Sequence, residues 1–283
     1  MALSTHDCEP TLTDSQVLEF CKQGYIVLEA VVPDEINQKT VAYLESFEGD
    51  AIVTSSILEQ DWFVEHVICN RSATGMIRSL LGRNFHLPVL MSLHRRNGPI
   101  MDPQSWHLDS NYRFGPHLNY LYVFYYPQDT PPEMGPTEIL PYSHFYRNQQ
   151  RFMAHLDNIR GAVKTSAPAG SIFITNFQIW HRAGKANGRG LRQLLKYFYW
   201  RTTPPARDWI VEPDFDFAKV NYDGGTGMAE QHKICRDVAE LFYWVCGAAD
   251  QYQALGGQSW PLTGQRIGDP YGYPGPPEPR PVG

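Results

Sequence analysis

The sequence predicts a mainly β fold with flanking helices, in the α+β class. Helical periodicity dominates residues 13–82, and one further amphipathic helix is indicated near the C-terminus. Between them lie seven short β-rich runs with no helical pattern among them, which is typical of a sandwich, jelly roll or barrel. With 283 residues and 42% hydrophobic content, the chain can bury a sizeable core, and we predict one domain over residues 1–283.

The N-terminal part, about residues 13–82, is predicted to be mostly helical. Residues 13–16 have the spacing of a capping box, so a first helix is expected over Asp14–Gln23 and ends at Gly24. A strand follows at Tyr25–Val31, and Pro33 then opens a second helix. Two more helices are predicted, at residues 57–69 and 73–81.

The β-rich core is predicted over about residues 85–203. Its runs are rich in branched and aromatic side chains and are bounded by Gly, Pro, Asn and Asp. They cover residues 85–94, 106–110, 118–126, 137–140, 162–165, 171–177 and 194–202. The remaining part, residues 204–283, contains a helix with an apolar stripe between Ile234 and Val245, then a Pro- and Gly-rich tail from Gly268 that we expect to be extended or disordered.

Composition excludes several classes of partner. The formal charge is −6, and no basic stripe indicates nucleic-acid binding. No apolar run approaches the ~20 residues that span a bilayer, and the N-terminus does not resemble a secretory signal. The five cysteines are scattered and none forms a Cys-x-x-Cys pair, which favours reduced thiols and a cytoplasmic protein. We therefore expect a small-molecule substrate, with neither nucleic acid nor membrane as a partner.

A histidine and a carboxylate two residues apart are the first candidate metal ligands. On a β-strand, residues i and i+2 point to the same face, so His107 and Asp109 would aim together. His181 ends another β-like run. Two imidazoles and one carboxylate on one side of an iron(II) ion leave positions open for other ligands. A His-x-Asp pair by itself is more often a hydrogen-bonded pair than a metal site, so the prediction depends on His181 and on the β context.

An arginine follows His181 at a distance that suggests a second role. The segment between them is rich in glycine and indicates a turn. If His181 ends one strand and Leu191 begins its antiparallel neighbour, Arg192 lies beside His181 across a hairpin. A guanidinium there would suit a planar, bidentate contact with a metal-bound dicarboxylate. Arg189, inside the turn, is interpreted as a solvated charge.

Several motifs together resemble the phytanoyl-CoA dioxygenase family of iron(II)- and 2-oxoglutarate-dependent oxygenases. The resemblance covers about residues 14–203, and its specificity comes from the order and spacing of the motifs. They are an opening helix and strand at Leu18–Leu28, Trp106-His107-Leu108-Asp109, the segment Gly135–His144, Ala169-Gly170-Ser171 before the strand leading to His181, and finally Arg192.

The resemblance implies a double-stranded β-helix, a jelly roll of the cupin-like kind. It implies that His107, Asp109 and His181 bind Fe(2+) and that Arg192 binds the far carboxylate of 2-oxoglutarate. O2 would then oxidise a C–H bond of a small metabolite, by hydroxylation or another outcome, with release of succinate and CO2. Secondary metabolism is the expected setting. Related halogenases lack the carboxylate ligand, so Asp109 argues against halogenation.

The chain departs from the family pattern in two informative places. Tyr142 replaces the usual glycine of a Pro-Gly-Ser-His segment, and Ala183 stands where a hydroxyl often helps to hold 2-oxoglutarate. Other polar groups must then assist in binding the co-substrate. The candidates are Asn119, Tyr120, Tyr122 and His94.

Two alternatives to this function stay open. One is an iron oxygenase that does not use 2-oxoglutarate, and the other is a non-catalytic, cupin-like binding protein. Arg192 separates the first from the main hypothesis, since its removal would leave such an enzyme unaffected. A zinc hydrolase is disfavoured, because the sequence offers neither a third histidine at the expected spacing nor a nucleophile beside a base.

Overall fold

Two antiparallel β-sheets form the centre of this computed structural model, which describes residues 4–49, 51–98, 100–109, 116–146, 150–188, 190–215 and 228–254. The strands are β1 (Thr5–His6), β2 (Tyr25–Leu28), β3 (Ala51–Val53), β4 (Phe85–His86), β5 (Ser92–Arg96), β6 (Tyr120–Tyr126), β7 (Thr137–Ile139), β8 (Val163–Lys164), β9 (Ser171–Asn176), β10 (His181–Ala183) and β11 (Arg192–Trp200). The larger sheet has eight strands in the order β1-β4-β11-β6-β9-β2, with β5 and β3 extending from β11. The smaller sheet has the order β10-β7-β8.

The two sheets pack face to face through a small apolar cluster. Phe124 of β6, Phe173 of β9 and Leu194 of β11 supply it from the larger sheet, and Ile139 of β7 supplies it from the smaller one. Side chains alternate along a strand, so the intervening residues of the same strands form a second face of the larger sheet. This face is also apolar, and helices cover it. The mainly β prediction with flanking helices is confirmed.

The helices lie mostly outside the larger sheet. They are α1 (Asp14–Gln23), α2 (Asp34–Leu44), α3 (Asp61–Phe63), α4 (Arg71–Leu81), α5 (Gln150–Met153), α6 (Met228–Val245) and α7 (Ala249–Ala254). The predicted helix at 57–69 is divided into a 3-10 turn, the short α3 and a π turn at Val64–Ile68. No helix in the described ranges is both long enough and apolar enough to span a membrane.

Helix α1 shows why the local predictions succeed. The Thr13 hydroxyl accepts a hydrogen bond from the Gln16 N–H, and the Gln16 side chain accepts one from the Thr13 N–H. Gly24 ends the helix in the left-handed conformation, with φ of 82°. Asp14, in the first turn, is fully buried and anchors the helix to the segment that follows β11, where Arg207 binds it.

The N-terminal part is less separate from the β core than its helices suggest. Strands β1, β2 and β3 all belong to the larger sheet, where β2 pairs with β9 and β3 pairs with β5. The organisation of the whole chain as one domain stays a prediction, and the Pro- and Gly-rich tail from Gly268 lies outside the described residues.

The predicted hairpin between His181 and Arg192 is wrong. His181 begins β10, which pairs with β7 in the smaller sheet, whereas Arg192 begins β11 in the larger sheet and pairs with Arg96 of β5. The cause is a turn after β9. The Asn176 side chain accepts a hydrogen bond from the Gln178 N–H and its carbonyl accepts one from the Ile179 N–H. This turn moves the chain from one sheet to the other before His181 is reached.

Two predicted β runs also differ from the structure. Residues 85–94 form two strands, because β4 ends at His86 and β5 begins only at Ser92. In the run 106–110, which extends beyond the described residues at Ser110, the described part contains no strand, and only His107 makes a single bridge to His181. Too few pairs form for a ladder, so the alternation expected for a strand does not by itself explain how His107 and Asp109 are oriented.

Candidate metal centre

Two histidines from distant parts of the chain are joined through their backbones. The His107 N–H donates to the His181 carbonyl at 3.0 Å, and the His181 N–H donates back at 3.1 Å. The two rings lie with their centroids 4.6 Å apart. A reciprocal pair of this kind holds the two main chains at a defined separation. The imidazoles therefore project together from an edge that extends the smaller sheet at β10.

Each imidazole is also oriented by its own backbone. The Nδ1 of His107 lies 2.8 Å from the Ser105 carbonyl, and the Nδ1 of His181 lies 3.1 Å from the Ile179 carbonyl. A carbonyl only accepts, so each Nδ1 carries the hydrogen and donates it. The Nε2 atoms are then left with lone pairs that face the centre of the site, which is the tautomer of a metal-binding histidine.

Asp109 completes a cluster of three possible ligands. Its Oδ1 lies 3.6 Å from His107 Nε2, and its Oδ2 lies 3.3 Å from His181 Nε2. One ligand atom from each of the three side chains lies within 4.8 Å of the other two. The His181 side chain is 3% exposed, whereas those of His107 and Asp109 are 22% and 29% exposed. The cluster therefore has a closed side and an accessible side.

The charges around the cluster favour the protonation states in which side chains bind a metal ion. Burial raises the pKa of the Asp109 carboxyl, but the adjacent His181 imidazole together with the charge and hydrogen bond of Lys196 outweigh it and hold that pKa well below its usual range. Burial and the Lys196 charge lower the pKa of His181, against an opposing effect of Asp109. An ionised carboxylate and a neutral imidazole are the forms that bind a metal ion.

Lys196 is a member of the site that the sequence reasoning missed. Its Nζ lies 2.6 Å from Asp109 Oδ2 and 3.2 Å from His181 Nε2. The available signal was the alternation along β11, since Arg192 and Lys196 are four residues apart and so occupy the same face of the strand. Both faces of β11 are covered, so its sequence shows no polar–apolar alternation that would have revealed which face Lys196 occupies.

Arg192 supplies a buried cation on the same inner face. It is 2% exposed, and its Nε and Nη1 have no hydrogen-bond partner among the described residues. Tyr126 lies beside the guanidinium, and Arg96 stands directly opposite on β5. Burial, and to a lesser extent the charge of Arg96, lower the pKa of Arg192. Unpaired guanidinium nitrogens in a buried place are costly, and an anionic ligand would satisfy them.

Two of the four additional candidates lie beside the cluster. The ring of Tyr122 lies 6.1 Å from that of His181, and burial together with Asp109 raises the pKa of the phenol. His94 stands opposite Leu194 on the inner face, where its Nε2 is 2.7 Å from the Ser92 hydroxyl. Burial and the Lys196 charge lower the pKa of His94 to about 3, so its ring stays neutral.

The other two candidates lie towards the opposite end of β11 from Arg192. Tyr120 pairs with Trp200, and its ring packs against Phe177 and Phe198. Asn119 precedes β6, and its carbonyl accepts a hydrogen bond from the backbone of Arg201. The structure thus brings Tyr122 and His94 to the cluster and places Asn119 and Tyr120 nearer the Trp200 end of the larger sheet. Arg189 lies outside the described residues.

A buried ion pair supports the strand that carries His181. Arg182 Nε donates to Glu138 Oε2 at 2.7 Å, and the guanidinium lies 4.7 Å from the centre of the Trp106 ring. Glu138 belongs to β7, directly opposite Arg182, while Trp106 precedes His107. The contacts tie together both segments that present the histidines. Sequence reasoning did not find this pair, because strand pairing alone brings Glu138 and Arg182 together.

Comparison with known proteins gives a family match and a consistent set of folds. The family model described as phytanoyl-CoA dioxygenase matches residues 46–194, more than half of the chain. A search of the curated proteins found no significant match. Among solved structures, HygX from Streptomyces hygroscopicus with nickel and 2-oxoglutarate bound is 16% identical, with a TM-score of 0.54 over 70% of this chain and 90% of that chain.

Two further structures are similar to a comparable extent. EctD from S. alaskensis, with 2-oxoglutarate and 5-hydroxyectoine, is 18% identical, with a TM-score of 0.55 over 70% of this chain and 79% of that chain. The non-heme alpha ketoglutarate dependent epimerase SnoN from nogalamycin biosynthesis is 16% identical, with a TM-score of 0.52 over 66% and 84%. At this level of identity the similarity concerns the fold, and the jelly-roll prediction is confirmed.

Proposed function

Because this chain belongs to the phytanoyl-CoA dioxygenase family of non-haem iron(II)- and 2-oxoglutarate-dependent enzymes, we propose that it oxidises a C–H bond of a small metabolite. The co-substrates are 2-oxoglutarate and O2, and the co-products are succinate and CO2. Hydroxylation is the preferred outcome. The observation that carries the proposal is the cluster of His107, Asp109 and His181, whose ligand atoms lie within 4.8 Å of one another.

The three clustered side chains would hold the iron. Both histidines present Nε2 lone pairs, because their Nδ1 atoms donate to backbone carbonyls. Asp109 contributes an anionic oxygen. Two imidazoles and one carboxylate suit iron(II) and leave part of its coordination sphere open. Iron bound there would supply the oxygen-activating redox chemistry that no amino-acid side chain can provide.

Arg192 would bind the far carboxylate of 2-oxoglutarate. Its Nε and Nη1 are buried without hydrogen-bond partners among the described residues, and a guanidinium can bind a carboxylate through two of its nitrogens at once. A carboxylate at this point would also relieve the repulsion between Arg192 and Arg96 on the neighbouring strand. The pair of buried cations thus favours an anionic co-substrate over a neutral one.

The remaining inner side chains would keep water from the reacting carbon. Tyr122 and Phe124 pack edge to face at 5.3 Å, and Tyr122 also contacts Phe177 at 5.7 Å. Burial raises the pKa of the Tyr122 phenol, so it stays neutral. An apolar wall of this kind orients a substrate and protects a reactive centre from water.

The substrate is proposed to be a secondary metabolite. HygX has been crystallised with hygromycin B and SnoN with nogalamycin RO, so this jelly roll accommodates ligands of that kind. SnoN is an epimerase, which makes epimerisation at a C–H centre the alternative outcome. We also infer one oxygenase domain and a cytoplasmic location, the latter supported by free cysteines at positions 8, 21, 69 and 246.

Turnover with iron(II), 2-oxoglutarate, ascorbate and O2 over a pool of metabolites tests the proposal. We expect succinate release and a product whose mass has risen by one oxygen atom. A product whose mass is unchanged in ordinary water, but which carries one deuterium atom when the reaction is run in heavy water, would favour epimerisation. Asp109→Ala should abolish succinate release, while Asp102→Ala, which removes an exposed acidic side chain, should retain it.

Two results would favour the alternatives. If wild-type protein forms no visible charge-transfer band with iron(II) and 2-oxoglutarate under anaerobic conditions, and releases no succinate, a non-catalytic binding protein is the better explanation. If the protein oxidises a substrate but Arg192→Ala leaves the reaction and its 2-oxoglutarate dependence unchanged, an iron oxygenase that does not use 2-oxoglutarate is indicated.

A further inference from the structure

We propose that Lys196 is a second cationic anchor for the co-substrate, binding the carboxylate next to the 2-oxo group while Arg192 binds the far carboxylate. The inference rests on the proposed function, since it concerns the same co-substrate. It assigns a binding role to a residue that no sequence motif identifies.

Lys196 lies on β11 in line with Arg192. Arg192 and Lys196 share the inner face of the strand, and their Cα atoms are about 13 Å apart at the usual rise of ~3.3 Å per residue. Lys196 stands opposite Phe124 of β6 and Ser92 of β5. One long cationic side chain therefore starts at each end of the interval that a short dicarboxylate would occupy.

Aromatic rings hold the ammonium group of Lys196 in place. Lys196 is 5% exposed, and its Nζ lies 4.8 Å from the centre of the Tyr122 ring and 5.5 Å from that of Phe124. Two aromatic rings on one side limit where the amine can move. The remaining direction is towards Asp109 and His181, at 2.6 and 3.2 Å. The cation is thus directed at the metal cluster.

Two hydrogen atoms of the ammonium group point at the metal cluster. One is donated to Asp109 Oδ2, and a second is directed at the His181 Nε2 lone pair. That lone pair is the one His181 would give to iron, so metal binding would free this hydrogen for another acceptor at the same edge. A carboxylate bound to the iron is an acceptor of the right charge.

Charge and composition both favour this acceptor. Arg192 and Lys196, two of the three buried cations on this face with Arg96, would each face one carboxylate of 2-oxoglutarate. Ala183, two residues after His181, has no hydroxyl to offer, and its N–H is directed to the Gln104 side chain at 3.2 Å. Lys196 would supply the donor that Ala183 lacks. If it served only to neutralise Asp109, its removal would change the affinity for iron(II) and leave the affinity for both 2-oxo acids unchanged.

Anaerobic titration of the iron(II)-loaded protein with 2-oxoglutarate and with pyruvate, followed by the visible charge-transfer band, separates the two anchors. Pyruvate keeps the carboxylate next to the 2-oxo group and lacks the far one. Lys196→Met should weaken the binding of both by about 10- to 100-fold, the loss expected for one charge-assisted hydrogen bond. Arg192→Met should weaken 2-oxoglutarate and leave pyruvate unchanged.

Controls keep the proposal falsifiable. Lys164→Met removes an exposed lysine and should change neither affinity, while Lys196→Arg keeps the charge and should retain most of the binding if Lys196→Met proves unstable. Iron(II) affinity and thermal midpoint are measured for each variant. The proposal is overturned if Lys196→Met binds both 2-oxo acids like the wild type, or if iron(II) affinity alone falls. Absence of any band in the wild type would instead refute the proposed function.

Discussion

Replacing Arg192 by methionine should stabilise the ligand-free protein and abolish tight co-substrate binding. The side chain is 2% exposed and its Nε and Nη1 have no hydrogen-bond partner among the described residues. An unsatisfied buried polar group costs about 1–3 kcal/mol, and methionine retains the apolar stem without the charge. We therefore expect the thermal midpoint to rise by about 2–6 °C for a protein of this size.

The loss in affinity is predicted from the same guanidinium. A carboxylate bound by two of its nitrogens would accept two charge-assisted hydrogen bonds of about 1.5–3 kcal/mol each. Their removal should raise the Kd for 2-oxoglutarate by about 100- to 10,000-fold. Arg192→Lys, which keeps a charge but loses the planar fork, should give an intermediate affinity.

Differential scanning calorimetry without ligand measures the first effect, and anaerobic titration with 2-oxoglutarate in the presence of iron(II) measures the second. If Arg192 is an unpaired buried cation that binds the co-substrate, its replacement raises stability and lowers affinity together. A lower thermal midpoint combined with an unchanged Kd would refute it, because Arg192 would then be a structural residue whose partners stabilise the fold. A lower midpoint together with weaker binding would mean that its packing outweighs its unpaired charge, and would refute the stability estimate alone.

Three other predictions concern stability. Asp14→Asn should destabilise the fold by about 3–5 kcal/mol in urea unfolding, because it leaves the charge of Arg207 without its buried carboxylate; a loss below about 1 kcal/mol would contradict this. Burial lowers the pKa of His144 from 6.5 to about 4, so the unfolded chain binds the proton more readily. Stability should be complete above pH 6.5 and fall by about 3 kcal/mol towards pH 4, and His144→Gln should remove that component from the pH profile. Gly170→Ala should cost about 2 kcal/mol or more, because φ is +83° and a Cβ would lie 2.5 Å from the Val32 carbonyl; unchanged urea unfolding would rule out this strain.

The features predicted correctly from sequence depend on neighbours in the chain. The capping box at Thr13 and the stop at Gly24 need only contacts within a few residues. The hairpin assigned to His181 and Arg192 failed because its premise, that successive strands pair, was untrue here. The Asn176 turn sends β10 to a different sheet. Which sheet a strand joins is decided by long-range pairing and packing, about which the local pattern carries little information.

In the candidate site, too, some features could be predicted from neighbouring residues and others depend on long-range strand pairing. His107, Asp109 and His181 do lie in one cluster, although the local reason differs from the one expected, since His107 makes an isolated bridge where a strand was predicted. The metal role of these residues stays a prediction. Lys196 was overlooked because a lysine within a buried strand carries no motif. Only the register of β11 against β6 and β5 shows that it shares a face with Arg192.

The backbone pairing of His107 with His181 has a consequence for how such a protein can change over time. A hydrogen-bonded pair sets the separation of the two Cα atoms at about 5.5 Å, and the connecting segments do not contribute to that value. Insertions, deletions or replacements in the loops between the strands of this connection would therefore leave the distance between the two imidazoles intact. New pocket walls, and with them new substrates, would be accessible to mutation without rebuilding the chemistry at the centre.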